Sequence, residues 1–301
     1  MSSITCSGSI ALDTTRTPFK TVENVLGGSA SFFSLAARFF AKTFACAIIG
    51  DDFPKEYWKL LEEHIDLSSV EHAPGKTFHF DSTFSFDLYH RQANKTDLNV
   101  LADFQPHLSE EAKKSEFIFV TSILPEKQRD VITQATNRKM LFMDTIEFYI
   151  KNYRSRVDAI ISLVDGVILN DAEARMLGED PNLVRCGQKI QKLGPKIVII
   201  KKGEHGSLLF YDHFVIPFPA FPLEVVVDPT GAGDAFAGGF IGSLAKQNAY
   251  APTLTQLKTA MAYANVMGSL AVEDFSVNRL ARATQQEIEK RFNEYCELLR
   301  I

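Results

Sequence analysis

The chain has 301 residues, 46% of them hydrophobic and 23% charged, which is ordinary globular composition and enough for one large domain with a substantial core. Its formal net charge is −5 and its Lys and Arg residues are scattered, so no basic stripe argues for a nucleic-acid partner. No apolar run approaches the ~20 residues needed to span a bilayer, and the N-terminus lacks the basic segment and apolar run of a secretion signal.

Cys6, Cys46, Cys186 and Cys296 lie far apart without C-x-x-C spacing. That argues against a disulfide framework or a zinc site, and for reduced thiols in a cytoplasmic protein.

In chain order, strand-length apolar runs fall at Phe44–Ile49, Phe117–Val120, Met140–Met143, Val167–Leu169, Ile197–Ile200 and Val225–Val227. Near-continuous apolarity suits strands covered on both faces. Helical spacing occupies Ser29–Ala41, Pro54–His64, Glu126–Thr136 and Leu183–Leu193, and the chain is helical in pattern from Asp234 onward. This alternation predicts an α/β protein with a mostly parallel sheet between helical layers. One segment breaks the rhythm. Lys76–Tyr89 alternates with period two, and the turn-forming pair Asp81-Ser82 predicts an antiparallel hairpin bending there. A hairpin of this kind must cover a cleft or a partner subunit. No internal repeat or low-complexity linker divides the chain, so residues 1–301 read as a single domain.

The most informative stretch is Val225–Phe236, VVVDPTGAGDAF. A tight turn through Gly231, Ala232 and Gly233 exposes successive backbone N–H groups at a helix N-terminus, which favours an anion. Asp234 stands where a carboxylate can take a proton from a hydroxyl, and phosphoryl transfer needs that pairing. The Walker pattern is absent, and Phe236 breaks the dinucleotide pattern G-x-G-x-x-G. For a bare G-x-G-D, a tight turn with Asp234 as helix cap would be the better reading.

The full string DPTGAGDAF resembles the C-terminal signature of the ribokinase-like (PfkB-type) carbohydrate and nucleoside kinases, and other segments match in the same order. Gly8-Ser9-Ile10-Ala11-Leu12-Asp13 resembles the family's first strand, ending in a substrate-binding aspartate. Gly27-Gly28 resembles its diglycine, Ile49-Gly50-Asp51-Asp52 its strand-end G-D-D, and His64–Leu67 followed by Thr77 the approach to its lid. Asn170–Glu173 fits its N-x-x-E and Lys201–Gly206 its K-x-G-x-x-G. The match spans nearly the whole chain.

The resemblance implies a three-layer ribokinase-like fold with a small β lid, formed by about 14–25 and 76–100. It implies transfer of the γ-phosphoryl group of ATP to a sugar hydroxymethyl group, with Mg²⁺ as cofactor and a monovalent cation (K⁺) near Asp228. Asp234 is then the general base, and Gly231, Ala232 and Gly233 the anion hole. Asn170, Lys201, Gly203, Gly206, Thr230 and Asn265 would serve ATP, the last with Gly268 and Ser269 beside the adenine. Asn170 and Glu173 would hold Mg²⁺ through water. The same two residues read equally well as a helix cap with a dipole-complementing acid, and small residues packed in a helix explain Gly268 and Ser269 as well.

Asp13, Gly27 and Gly28 would hold the acceptor. The pattern departs at Phe32, where sugar kinases of the family carry an asparagine that contacts substrate hydroxyls. An aromatic there favours stacking on a flat group, which makes a ribonucleoside kinase the alternative; a silent nucleotide-binding protein is the third reading. The 24 phenylalanines, several near the lid, also suit a homodimer formed through it.

Overall fold

In the computed structural model, residues 2–300 are described. The first half of the chain forms β1 (Ser3–Ser7), β2 (Ala11–Arg16), β3 (Thr21–Gly27), β4 (Lys42–Ile49), β5 (Asp66–His72), β6 (Phe78–Phe84) and β7 (Arg91–Asp97). It continues with β8 (Phe117–Val120), β9 (Met140–Met143), β10 (Gly166–Asn170), β11 (Ile197–Lys201), β12 (Ser207–Tyr211) and β13 (Phe214–Phe218). The helices are α1 (Ser29–Ala37), α2 (Lys55–Glu62), α3 (Pro125–Gln134), α4 (Glu147–Asn152), α5 (Arg154–Ile161) and α6 (Asp171–Gly178). They continue with α7 (Leu183–Gln191), α8 (Ala232–Lys246), α9 (Leu254–Ala271), α10 (Asn278–Arg282) and α11 (Gln285–Leu298).

Nine strands make one large sheet in the order β13-β12-β11-β10-β9-β8-β1-β4-β5. Strands β5 to β11 of that order pair in parallel, and only β12 and β13 run antiparallel at the edge. Alternate residues of each strand face opposite layers. Cys6, Phe119, Phe142, Ile168 and Ile199 pack with α1, α8, α9 and α11, whereas Val120, Met143, Leu169 and Ile200 pack with the residues of α3, α5, α6 and α7. Both faces are therefore dry, which explains why these strands are apolar throughout rather than alternating. The strand order reverses between β1 and β8, and a crevice opens beyond the carboxyl ends at such a switch point.

A second sheet has the order β3-β2-β6-β7. Its root is tied by the Gly50-Asp51-Asp52 turn: Asp52 accepts from the Thr77 N–H at 2.7 Å, and Gly50 N–H donates to the Thr77 hydroxyl at 3.0 Å.

Three sequence expectations need correction. The hairpin does not turn at Asp81-Ser82, because β6 runs straight through it with a bulge; the reversal comes at Ser85–His90. Asp81 is engaged by Arg16 at 2.8 Å and Asn94 at 2.8 Å, so its polarity serves cross-strand pairing rather than a bend. Val225–Val227 is not a strand. Val225 is 63% exposed, and the segment instead hydrogen-bonds the turn after α9, where Val227 N–H meets the Val272 carbonyl at 2.8 Å. The segment Gly8–Asp13 does not belong to the first strand either: β1 stops at Ser7, and Asp13 lies within β2 of the small sheet.

Candidate active site

Three of the parallel strands deliver a polar group at their carboxyl ends. Asp144 follows β9, Asn170 ends β10 and Lys201 ends β11. Across from them, Gly231 takes φ +74° and starts α8, a left-handed conformation that suits glycine and turns the chain into the helix. Asp234 sits in the first turn of α8, half-buried and beside the positive end of the helix dipole. The Gly231–Gly233 amides and Lys201 converge: a Cβ on Gly233 would stand 2.7 Å from the Lys201 ammonium nitrogen.

Burial pushes the Asp234 carboxyl upward, while Lys201 and Arg91 pull it back. Asp144 is held well above the usual carboxylate range, first by burial and next by the charge of Asp234, against the opposing pull of Lys201. Its Oδ1 is buried without a hydrogen-bond partner. Two carboxyls so placed share one proton more readily than they both ionise. Asp144 was missed in the sequence, although it occupies the same place after its strand that Asn170 occupies after β10.

Asn170 and Glu173 close a reciprocal capping box. The Asn170 Oδ1 accepts from the Glu173 N–H at 2.8 Å, and the Glu173 carboxylate accepts from the Asn170 N–H at 2.8 Å. The helix-cap reading therefore holds for both residues, yet only one Glu173 oxygen is spent on it. Burial raises the Glu173 carboxyl to about 7, against Lys201 and the Asn170 amide. Asp144, Asn170, Glu173 and Asp234 offer the hard oxygens that Mg²⁺ takes. Among the described residues no three acidic, His or Cys groups are spaced to enclose a bare ion. Coordination through waters and phosphate is the mode such a set allows.

Asp13, expected to hold the acceptor, is 6% exposed and its Oδ1 has no partner. Burial raises its carboxyl to about 7, with Arg91 and the Gly28 and Phe80 amides drawing it down. Gly27 has no room for a side chain because the Asp13 carboxylate fills that space. Gly28, with φ +91°, opens α1. Around it lies a hydroxyl cluster in which Ser29 meets Thr121 and Ser122, while Ser29 N–H donates to the Ser9 hydroxyl at 3.1 Å.

Phe32 is not in the cleft: it is 1% exposed and lies under Gly231, so the expectation that it stacks on an acceptor is corrected. Asn265 also turns inward, its amide donating to the Met261 carbonyl of its own helix at 2.8 Å. Gly203 and Gly206, with φ +57° and +77°, shape the turn after Lys201. Thr230 N–H donates to Asp228 at 2.9 Å, leaving the Thr230 hydroxyl and Asp228 Oδ2 buried and unpartnered. Arg91, from the small sheet, was not anticipated; its charge is felt by Asp13, Glu173, Asp228 and Asp234.

No helix among the described residues is long and apolar enough to cross a membrane. The family model for the pfkB family carbohydrate kinases matches residues 1–283. The cytidine kinase of Thermococcus kodakarensis is 31% identical over 252 residues, covering 79% of this chain and 87% of that protein. The Burkholderia thailandensis nucleoside kinase, solved with inosine, superimposes with TM-score 0.80 at 20% identity over 97% of this chain and 98% of that one. An Escherichia coli putative ribokinase II, solved with ATP and Mg²⁺, gives TM-score 0.78 at 18% identity over 98% and 100%. A large, mostly parallel sheet with a small second sheet is thus a ribokinase-like fold. Read with its anion turn and carboxylates, the chain belongs to the pfkB family of carbohydrate kinases and is an ATP-dependent carbohydrate or nucleoside kinase.

Proposed function

We propose that the chain phosphorylates a hydroxymethyl group of a sugar, with Asp234 as the general base. The observation that carries this is the placement of the Asp234 carboxylate in the first turn of α8, beside the Gly231–Gly233 amides and facing Lys201. The acceptor oxygen bonds to the γ-phosphorus and yields its proton to Asp234. The bond from phosphorus to the bridging oxygen breaks, and its electron pair leaves with ADP. The Gly231 and Gly233 amides and Lys201 meet the charge on the phosphoryl oxygens without reorganising, whereas the Ala232 N–H donates to the Pro229 carbonyl at 3.2 Å. Mg²⁺, held by Asn170, Glu173 and Asp144 through waters, would neutralise the phosphates.

Asp13 and the Gly27-Gly28 turn hold the sugar, and the small sheet is the lid over it. The second reading, a nucleoside acceptor, is favoured by the cytidine kinase relative, whose match covers most of both chains. A monovalent cation fits beside Asp228, where two hard oxygens, Asp228 Oδ2 and Thr230 Oγ1, are buried without partners. Phe19 and Phe86 are 68% and 83% exposed on the lid with ring centroids 6.4 Å apart, which supports a homodimer through that surface.

The test is ADP release from Mg·ATP across sugars, sugar phosphates and nucleosides, in K⁺ and in Na⁺ buffers, with Asp234→Asn alongside. A responding acceptor names the substrate. The variant is expected to lose roughly 10²–10⁴-fold in kcat with nucleotide affinity kept. Full activity of Asp234→Asn would remove it as the base, and failure of the wild-type chain to bind ATP would end the reading.

A further inference from the structure

The five residues after α9, 272–276, reach both the small sheet and the loop before α8. At one end the Val272 carbonyl accepts from the Val227 N–H at 2.8 Å and from the Asp228 N–H at 3.3 Å, where the chain leads into the Gly231 turn. At the other end the Ser276 hydroxyl donates to the Leu26 carbonyl, 250 positions away in the chain. Leu26 immediately precedes Gly27-Gly28 on β3. Between these ends, Phe275 is buried and carries the Lys20 ammonium 5.5 Å above its ring, and Lys20 closes the turn that joins β2 to β3.

The same segment is fastened to the helices behind it. The Glu273 carboxylate accepts from Arg279 at 2.9 Å and from Arg291 at 2.7 Å, and Asp274 pairs with Arg282 at 2.7 Å. Arg291 also donates to the Ser269 hydroxyl of α9 at 3.0 Å. Arg279 and Arg291 are mostly buried, so water and salt screen their pairs with Glu273 less than surface pairs. Held from behind, the segment is a strut between β3 and the loop before α8.

Ser276 is where this strut departs from ordinary backbone. It is buried and takes φ +59°, a left-handed conformation that is costly for a residue with a Cβ. Glycine would make the same turn without strain, and what serine adds is the hydroxyl. Strain of this kind persists only where the surroundings hold it in place. The packing of Phe32 under Gly231 already ties α1 to the anion turn, and the Ser276 bond is a second tie between the same two regions.

We propose that Ser276 is a positioning residue for phosphoryl transfer, fixing the spacing between the Gly27-Gly28 turn and the 228–233 loop. This rests on the kinase reading above, in which the first of these holds the acceptor and the second meets the phosphoryl group. Ser276 itself touches neither substrate. It keeps the acceptor hydroxyl and the anion turn at reacting distance, where a displacement of about 1 Å can cost 10²-fold in rate.

Ser276→Ala and Ser276→Gly both delete the hydroxyl but differ in strain. Ser276→Gly should melt about 2 °C above Ser276→Ala, because glycine accepts the left-handed backbone. With an acceptor that responds in the ADP-release panel, kcat should fall about 10-fold or more in both variants. The KM values for Mg·ATP and for the acceptor should each stay within about 3-fold of the wild type. On the ligand-free protein, amide exchange read by mass spectrometry should quicken in both variants, in the peptides covering 26–29 and 227–234 together. A kcat that follows the melting temperatures, low in Ser276→Ala and restored in Ser276→Gly, overturns the proposal and leaves the serine a purely structural residue. So does an unchanged kcat in both, or a rise in either KM at constant kcat. Unchanged exchange in either peptide overturns it without any acceptor. All of these leave the kinase reading standing, whereas a wild-type chain that does not bind Mg·ATP overturns both.

Discussion

The ring of Phe32 lies directly beneath Gly231, so that a Cβ at Gly231 would overlap its Cγ and both Cδ atoms. The first helix after the diglycine and the Gly231 turn are therefore one packed unit, and neither can deform alone. Gly231→Ala meets two obstacles, the ring and φ +74°. It should lower kcat by ~10²-fold or more by displacing the amides. Phe32→Ala relieves the overlap but not the backbone strain, at its own cost of about 3–5 kcal/mol of stability. A double-mutant cycle read by thermal melting should then show favourable coupling between the two changes, and strict additivity would separate them.

Glu173 caps its helix and is proposed to hold Mg²⁺ through water, and two substitutions separate those roles. Glu173→Gln keeps an oxygen for the Asn170 N–H, so melting should hold within about 0.5 kcal/mol of the wild type while the Mg²⁺ needed for half-maximal rate rises. Glu173→Ala should lose about 1 kcal/mol of stability as well. An unchanged Mg²⁺ requirement in Glu173→Gln would leave the residue with its capping role only.

Lys201 lowers the carboxyls of Asp144, Glu173 and Asp234 alike. Lys201→Met therefore lets all three rise, and the ionised base persists only at higher pH. The acidic limb of kcat/KM should move to higher pH, together with a larger KM for ATP. An acidic limb that moved to lower pH would contradict the charge arrangement described.

Asp13 makes its prediction on the unliganded protein. Its carboxyl titrates at about 7 when folded against an ordinary value of 3.8, so the folded state holds the proton more tightly. Its stabilising contribution is complete below about pH 4 and is lost as pH rises to about 7. Asp13→Asn does not titrate. Its melting temperature should thus gain on the wild type from pH 4 to 7 and keep a constant lead above that, as a pH series of melts would show.

Where burial alone decides an element, the sequence could be read directly. Phe117–Val120 and Met140–Met143 are strands over those same residues, because a strand dry on both faces has no other pattern available. Val225–Val227 carries the same apolar signal without a ladder partner, and only tertiary contacts decide that. The Asp81-Ser82 pair shows local turn preference losing to cross-strand pairing with Arg16 and Asn94. The Gly231–Asp234 turn was legible because its chemistry is local. Arg91 was not, since the carboxyls that feel its charge are remote from it in the chain. Phe32 was misread for the same reason, its neighbour Gly231 being remote in the chain.

Asp13 lies on β2 of the small sheet, whereas Asp234 rides on α8 against the large one. With the roles proposed for them, a hydroxyl gripped by the first group would meet the second only when the two sheets are in register with each other. Water, which needs no grip from Asp13, gains nothing from that alignment. On the proposed reading, the division of the two carboxylates between separately mounted sheets would act as a safeguard on the nucleotide, releasing the phosphoryl group to a cargo that holds both halves together and not to solvent.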